Sequence, residues 1–287
     1  MFKTIIALNL MMIFCSCAKN KTLDYSDLSI NIGADTTLDI ITWNIENFPK
    51  QDNITINYLE KLIDSMNVDV IALQEIGSDS YFLDLINKLE GWSGDKTSGA
   101  YGLAFLYKSD LIINGLNEIS ELNNYNLSRT PYMLEMYWQG QNIYIINNHY
   151  KCCGNGTIEN IYSDEEYRRQ QSCVLTKNYI DSNLDNKNVI LLGDFNDELT
   201  DPDTANVFKA FINNPEKYKF VDMNIAYGSS ANWSYPGWPS HLDHILITNE
   251  LFDEFENSNS TIQTIHIEDY FDGGWNEYDN YISDHRP

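Results

Sequence analysis

Positive charge is scarce in this sequence. Its 287 residues carry 18 Lys and Arg against 42 Asp and Glu, a formal net charge of −24 at pH 7. Affinity for polyanions comes mainly from Lys and Arg neutralising phosphates, so the balance excludes a general nucleic-acid coat protein and leaves room only for a local basic cleft. Proline is also sparse, at 7 residues, and there is no repeat or low-complexity tract, which excludes collagen-like and disordered classes. Long hydrophobic runs are missing too: the most apolar stretch, Ile5 to Phe14, falls well short of the ~20 residues that span a bilayer as a helix. What the chain does have is core material, with 43% hydrophobic and 13% aromatic residues.

The first residues read as an export signal: Lys3, the apolar stretch, then Ser16 immediately before Cys17. The Phe14-Cys15-Ser16-Cys17 ending resembles a bacterial lipoprotein signal, which implies lipidation of Cys17 as the mature N-terminus; a plain secretory cleavage is the alternative. Either reading places the protein outside the cytoplasm, lipid-anchored in the cell envelope or secreted. Residues 18–37 are polar and aperiodic and are expected to be a tether, leaving one domain over 38–287. In an oxidising compartment the remaining Cys152, Cys153 and Cys173 are expected to form a structural bridge from Cys173 to one of the adjacent pair, with one thiol left over. Zinc ligation is disfavoured, because no C-x-x-C spacing is present.

Short apolar runs ending in polar residues predict buried strands at LDIITWN (38–44), VDVIALQE (68–75), YGLAFLYK (101–108), PYMLEMYW from Pro131, QNIYIINNH (141–149), NVILLGD (188–194), HLDHILIT (241–248) and NYISDHRP (280–287). Helical spacing predicts helices at 56–66, with Ile56, Leu59, Leu62, Ile63 and Met66 on one face, and at 82–89. The longest helix is expected at 167–184, with Val174, Leu175, Tyr179 and Ile180 facing inward. Strands alternating with helices point to an α/β domain of packed sheets with helices outside.

The strand ends collect Asn44, Glu75, Asn148, His149, Asp194, Asn196, Asp243, Asp284 and His285. Sites of layered α/β folds gather where strands end. Oxygen ligands suit a hard cation, and Glu75 and Asp284 fit a Mg²⁺ site completed by substrate phosphate oxygens.

TWNIEN (42–47), LQEI (73–76), NNHYK (147–151), LLGDFND (191–197), HLDHILI (241–247) and SDHRP (283–287) together resemble the motifs of the endonuclease/exonuclease/phosphatase superfamily, in order and approximate spacing. That superfamily includes deoxyribonuclease I, abasic-site endonucleases, sphingomyelinases and inositol polyphosphate 5-phosphatases. The resemblance implies a four-layer α/β sandwich, two packed mixed β-sheets flanked by helices, and phosphoester hydrolysis assisted by Mg²⁺, with Mn²⁺ or Ca²⁺ as alternatives.

By the same resemblance, Glu75, Asn44 and Asp284 are the expected metal set. His285 contacts the scissile phosphate with Asp243 holding its imidazole, Asp194 and Asn196 orient the attacking water, and His149 acts on the leaving group. Arg129, in an Arg-x-Pro strand entry, and Lys151 are the expected phosphate-binding cations. Glu46 and His244 are second-rank candidates, and His241, His244 and His266 are expected to be structural or exposed. Arg168 and Arg169 are candidates for the cationic rim, one of them on a solvated helix face, and Trp233, Tyr235 and Trp238 are candidates for the substrate entrance. The expected activity is an exported, monomeric nuclease or phosphodiesterase acting on nucleic acid. The alternatives are a sphingomyelinase-like or sugar/inositol-phosphate phosphatase, or a non-catalytic lipoprotein that binds a phosphorylated ligand.

Overall fold

The computed structural model describes residues 30–287, so the signal, Cys17 and residues 18–29 of the expected tether lie outside the described residues. The elements run β1 (Ile40–Phe48), α1 (Asp52–Met66), β2 (Val70–Ile76), α2 (Asp79–Lys88), β3 (Trp92–Lys96), β4 (Gly102–Lys108), β5 (Ile112–Glu118), β6 (Tyr132–Trp138), β7 (Gln141–His149) and α3 (Glu165–Asn183). They continue with β8 (Asn188–Asp194), α4 (Lys209–Ile212), β9 (Tyr218–Phe220), α5 (Met223–Ala226), β10 (Asp243–Thr248), α6 (Phe252–Phe255) and α7 (Trp275–Tyr281).

Two sheets result, one ordered β1-β2-β4-β3 and the other β5-β6-β7-β8-β10-β9. Each contains one parallel pair, β1 with β2 and β7 with β8, and in each case a long helix makes the crossover. The remaining pairs are antiparallel. Between the sheets, Ala72, Leu103 and Phe105 pack against Leu134, Met136, Ile145 and Leu192. The outer face of the first sheet buries Trp43 and Ile45 under α1 and α7, and that of the second buries Ile146, Val189 and Leu191 under α3. The order is helix, sheet, sheet, helix, as the sequence implies. A polar tie crosses the interior between the sheets: Gln74 Nε2 donates to Asn147 Oδ1 at 2.8 Å, and Asn147 Nδ2 donates to the Leu73 and Ala104 carbonyls at 3.0 Å each. The Asn147 amide and the Gln74 Nε2 are tolerated there because they pair with one another and with backbone, while Gln74 Oε1 is left without a partner.

Several expectations need correction. The domain starts earlier than residue 38: Ile30 is fully buried in the core, and the Ile32 and Gly33 amides both donate to the Met66 carbonyl at 3.1 Å. Residues 280–287 are not a strand. The chain leaves α7 and runs irregularly, with Ser283 Oγ donating to the Asn44 carbonyl at 2.6 Å and the Arg286 amide donating to the Ser234 carbonyl at 2.7 Å. Strands β3, β5 and β9 escape the pattern because they are short or half-exposed. On α3 the buried face is mostly polar, with Glu166, Arg169, Ser172 and Thr176 beside Cys173 and Ile180. No bridge reaches Cys173, because α3 turns it into the core while Cys152 and Cys153 stay exposed; all three are free thiols.

Candidate active site

The strand register brings the polar ends together. Asn44 pairs with Gln74 next to Glu75, His149 with Asp194, and Asp194 with Asp243, so both sheets discharge their side chains at one end of the sandwich. Gly193 is required for this: its φ is +138°, and a Cβ there would stand 2.0 Å from the Asn148 carbonyl oxygen. Four non-glycine residues at the site, Glu46, Asn47, Glu75 and Asn196, have φ between 29° and 65°. Such conformations cost on the order of 1–3 kcal/mol each and collect where function holds them.

Asp194 is the hub. Its Oδ2 accepts from Asn44 Nδ2 at 2.9 Å and lies 3.4 Å from His149 Nε2 and 4.0 Å from His285 Nε2, while Oδ1 accepts from the Asn196 amide at 2.9 Å. Asn44 Nδ2 also reaches Glu75 Oε1 at 3.3 Å, and Glu75 Oε2 accepts from the Asn47 amide at 2.9 Å. His285 Nδ1 meets Asp243 Oδ2 at 2.7 Å, and its Nε2 lies 3.9 Å from Asp284 Oδ1. Asp284 offers its amide to Glu46 Oε2, which also accepts from Lys50.

Charge states diverge within this small volume. Burial and the neighbouring Asp243 charge push Asp194 up to about 7, against the pull of His285 and Asn44. Burial would lower His285, but the Asp243 carboxylate outweighs it and raises the imidazole to about 10, so it is a cation at neutral pH. His149 is driven the other way, well below its usual value, by burial first and then by Arg129, and stays neutral; its Nδ1 has no partner. Burial also raises Asp284, to about 6, against the pull of His285.

Residues 41–285 match the family model described as the Endonuclease/Exonuclease/phosphatase family. The chain belongs to the endonuclease/exonuclease/phosphatase family. Among solved structures it resembles TDP2 of D. rerio complexed with single strand DNA product, at 15% identity over 87% of this chain and 96% of that one, TM-score 0.62. It also resembles the human Nocturnin catalytic domain with bound sulfate anion (18%, 74% and 83%, TM-score 0.55) and an endonuclease/exonuclease/phosphatase from Bacteroides vulgatus (14%, 73% and 85%, TM-score 0.54). At these identities the likeness is one of fold. No curated protein matches the sequence.

Members of the endonuclease/exonuclease/phosphatase family are phosphoester hydrolases that use divalent metals, and this chain is a hydrolase of that general kind. Its residues fit such an ion. Buried carboxylates crowd the site, Asp243 Oδ1 is enclosed without a partner, and burial followed by the neighbouring carboxylates makes Asp194 and Asp284 hold protons more tightly than usual. A second cluster, Asp222, His241 and His244, does not fit a metal. His244 Nδ1 faces Asp222 Oδ2 at 2.6 Å and its Nε2 donates to the Asp197 carbonyl at 2.9 Å, so neither nitrogen has a free lone pair.

The proposed cations occupy unequal positions. Arg129 donates to the Tyr101 carbonyl at 2.7 Å and feels the charges of Glu75 and Asp194. Lys151 is half-buried, with Nζ 3.6 Å from Cys152 Sγ. Arg168 stacks over Tyr125 at 4.4 Å, whereas Arg169 is buried and belongs to no rim. Tyr235 packs on His285 with ring centroids 4.8 Å apart, while Trp238 is exposed. Sequence reasoning missed the supporting serines. Ser283 Oγ accepts from the His285 amide at 2.9 Å, and Ser234 Oγ accepts from the Leu242 and Asp243 amides at 3.1 Å each. Ser283 stands directly before the Asp-His pair, a signal that was available; Ser234 had none.

Proposed function

We propose that this protein is an exported, lipid-anchored phosphodiesterase, a nuclease acting as a monomer with Mg²⁺ as its preferred ion. The observation that supports this most is the pairing of opposites at the centre: Asp194, a carboxylate with proton affinity near neutrality, lies 4.0 Å from the cationic His285. Phosphodiester hydrolysis needs a base for water beside a cation for the phosphoryl oxygens. In this reading Asp194 takes the proton from water, and the Asn196 side chain orients that water. His285 donates its Nε2–H to a non-bridging oxygen and Asp243 keeps it charged. His149, neutral, hydrogen-bonds the departing oxygen, which takes its proton from solvent as the P–O bond breaks, and Arg129 and Lys151 receive the phosphate. Glu75, Asn44 and Asp284 would hold the divalent ion, which supplies Lewis-acid polarisation of a phosphoryl oxygen. The single strand DNA product held by TDP2 of D. rerio favours nucleic acid over lipid or sugar phosphates as the substrate here.

The test is hydrolysis of DNA, RNA, sphingomyelin and inositol phosphates by purified protein, with added Mg²⁺, Mn²⁺ or Ca²⁺ and with excess EDTA. Cleavage of nucleic acid that stops in EDTA is expected. Full activity in EDTA removes the metal from the reading, and cleavage of only lipid or inositol phosphate replaces the substrate. For the anchor, Cys17→Ser is expected to move the protein from the membrane fraction to the soluble fraction.

A further inference from the structure

Beneath the site runs a buried polar chain that the reaction above does not use. Arg169, almost fully enclosed on α3, donates from Nε to Asp197 Oδ2 at 2.7 Å and from Nη1 to the Lys151 carbonyl at 2.8 Å and the Cys153 carbonyl at 2.6 Å. Its Nη2 lies 3.6 Å from Glu166 Oε1, and the same Glu166 oxygen accepts from the Gly156 amide. The loop lies tight on this carboxylate: a Cβ on Gly154 would come within 2.2 Å of it. Asp197 is held at its other end too, because its carbonyl accepts from His244 Nε2 at 2.9 Å, and His244 is fixed by Asp222 at 2.6 Å.

The elements so joined carry separate parts of the site. The loop bears Lys151, two residues after His149; the turn ending at Asp197 bears Asp194 and Asn196; His244 follows Asp243 on β10. We infer that Arg169 is a positioning residue, fixing Lys151 against the Asp194–Asn196 turn so that the phosphate-binding cation and the water-handling carboxylate keep one spacing. This rests on the phosphate role proposed for Lys151. A guanidinium is needed because its donors fan out in a plane toward a carboxylate on one side and carbonyls on the other; a lysine ammonium presents its donors from one point. This role also accounts for Arg169 and Glu166 on the buried face of α3, where a helix serving only the core would place aliphatic side chains; Ser172 and Thr176 on that face bond instead to the Asn126 carbonyl and the Tyr150 hydroxyl.

The experiment measures inorganic phosphate binding by calorimetry, and KM and kcat on whichever phosphodiester the wild type cleaves, for the full chain. The variants are Arg169→Lys, Lys151→Ala and the double variant, with Asp197→Asn as a milder cut of the same link and thermal melting as the stability control. Arg169→Lys is expected to weaken phosphate binding and raise KM about tenfold, as loss of a supporting shell does. Lys151→Ala should then add little, since the lysine is already misplaced. A purely structural arginine predicts a lower melting temperature with phosphate affinity and KM unchanged, which overturns the inference, as do fully multiplicative effects of the two substitutions. If Arg169→Lys fails to fold, Asp197→Asn decides by the same readouts. If the wild type binds phosphate through Lys151 yet cleaves no diester, the proposed activity falls and the inference stands. If Lys151→Ala leaves phosphate affinity intact, the inference falls.

Discussion

His285 and Asp243 meet at 2.7 Å through Nδ1 and Oδ2, leaving Nε2 of the imidazole turned toward Asp194. The pair fixes both the orientation and the charge of the ring. Asp243→Asn preserves the shape but removes the charge that keeps His285 protonated. A drop in kcat of about 10²–10⁴-fold is expected, the span of a lost acid–base partner, with a lower melting temperature at neutral pH because the buried imidazolium loses its partner. Near-native turnover would remove Asp243 from the mechanism.

Metal dependence is checked without turnover. Ions that bind only the folded state stabilise it by about 2.7 kcal/mol at one hundred times the dissociation constant. Mg²⁺ is therefore expected to raise the melting temperature of the wild type and to leave that of Glu75→Gln nearly unmoved. An equal rise in both would take Glu75 out of the ligand set.

The second histidine cluster predicts a pH-dependent stability. Burial opposes charge on both partners, yet Asp222 raises His244, and the two histidines hold Asp222 below the usual carboxylate range. His244 stabilises fully below its unfolded pKa of about 6.5 and loses this as pH rises through its higher folded value; Asp222 stabilises fully above about 3.9 and loses this as pH falls. The melting-temperature gap between wild type and Asp222→Asn should be widest between about pH 4 and 6.5 and narrow toward alkaline pH. A gap independent of pH would mean that His244 is neutral in the fold.

Gly193→Ala tests the close approach of β7 and β8. With φ at +138° and the Asn148 carbonyl in the way, the substitution should cost at least about 1–3 kcal/mol and displace Asp194. Denaturant unfolding and kcat should both fall; an unchanged kcat would show that the hub tolerates movement.

The strands that carry the site were legible because each is a buried apolar run with a polar end, as in VIALQE of β2 and ILLGD of β8. Edge strands such as β3 and β5 were not, since one polar and one half-exposed face dilute the alternation that marks a strand. The buried face of α3 was misread for a related reason: spacing finds apolar stripes, and Arg169, Glu166 and Thr176 are buried by pairing rather than by hydrophobicity. Ser234 reaches the site from an irregular loop, where no period exists to announce it, whereas Tyr235 beside it was legible as an aromatic candidate for the substrate entrance.

The segment from Ser283 to Arg286 stitches the two halves of the molecule, bonding to Asn44 of the first sheet, Asp243 of the second and the Ser234 loop between them. The catalytic assembly is thus a lock whose last pin comes from the far side of the polypeptide. A chain cut before His285 carries most of the ingredients but lacks the His285–Asp243 pair and the Ser283–Asn44 tie, so full hydrolysis is expected only once the whole domain has closed around them.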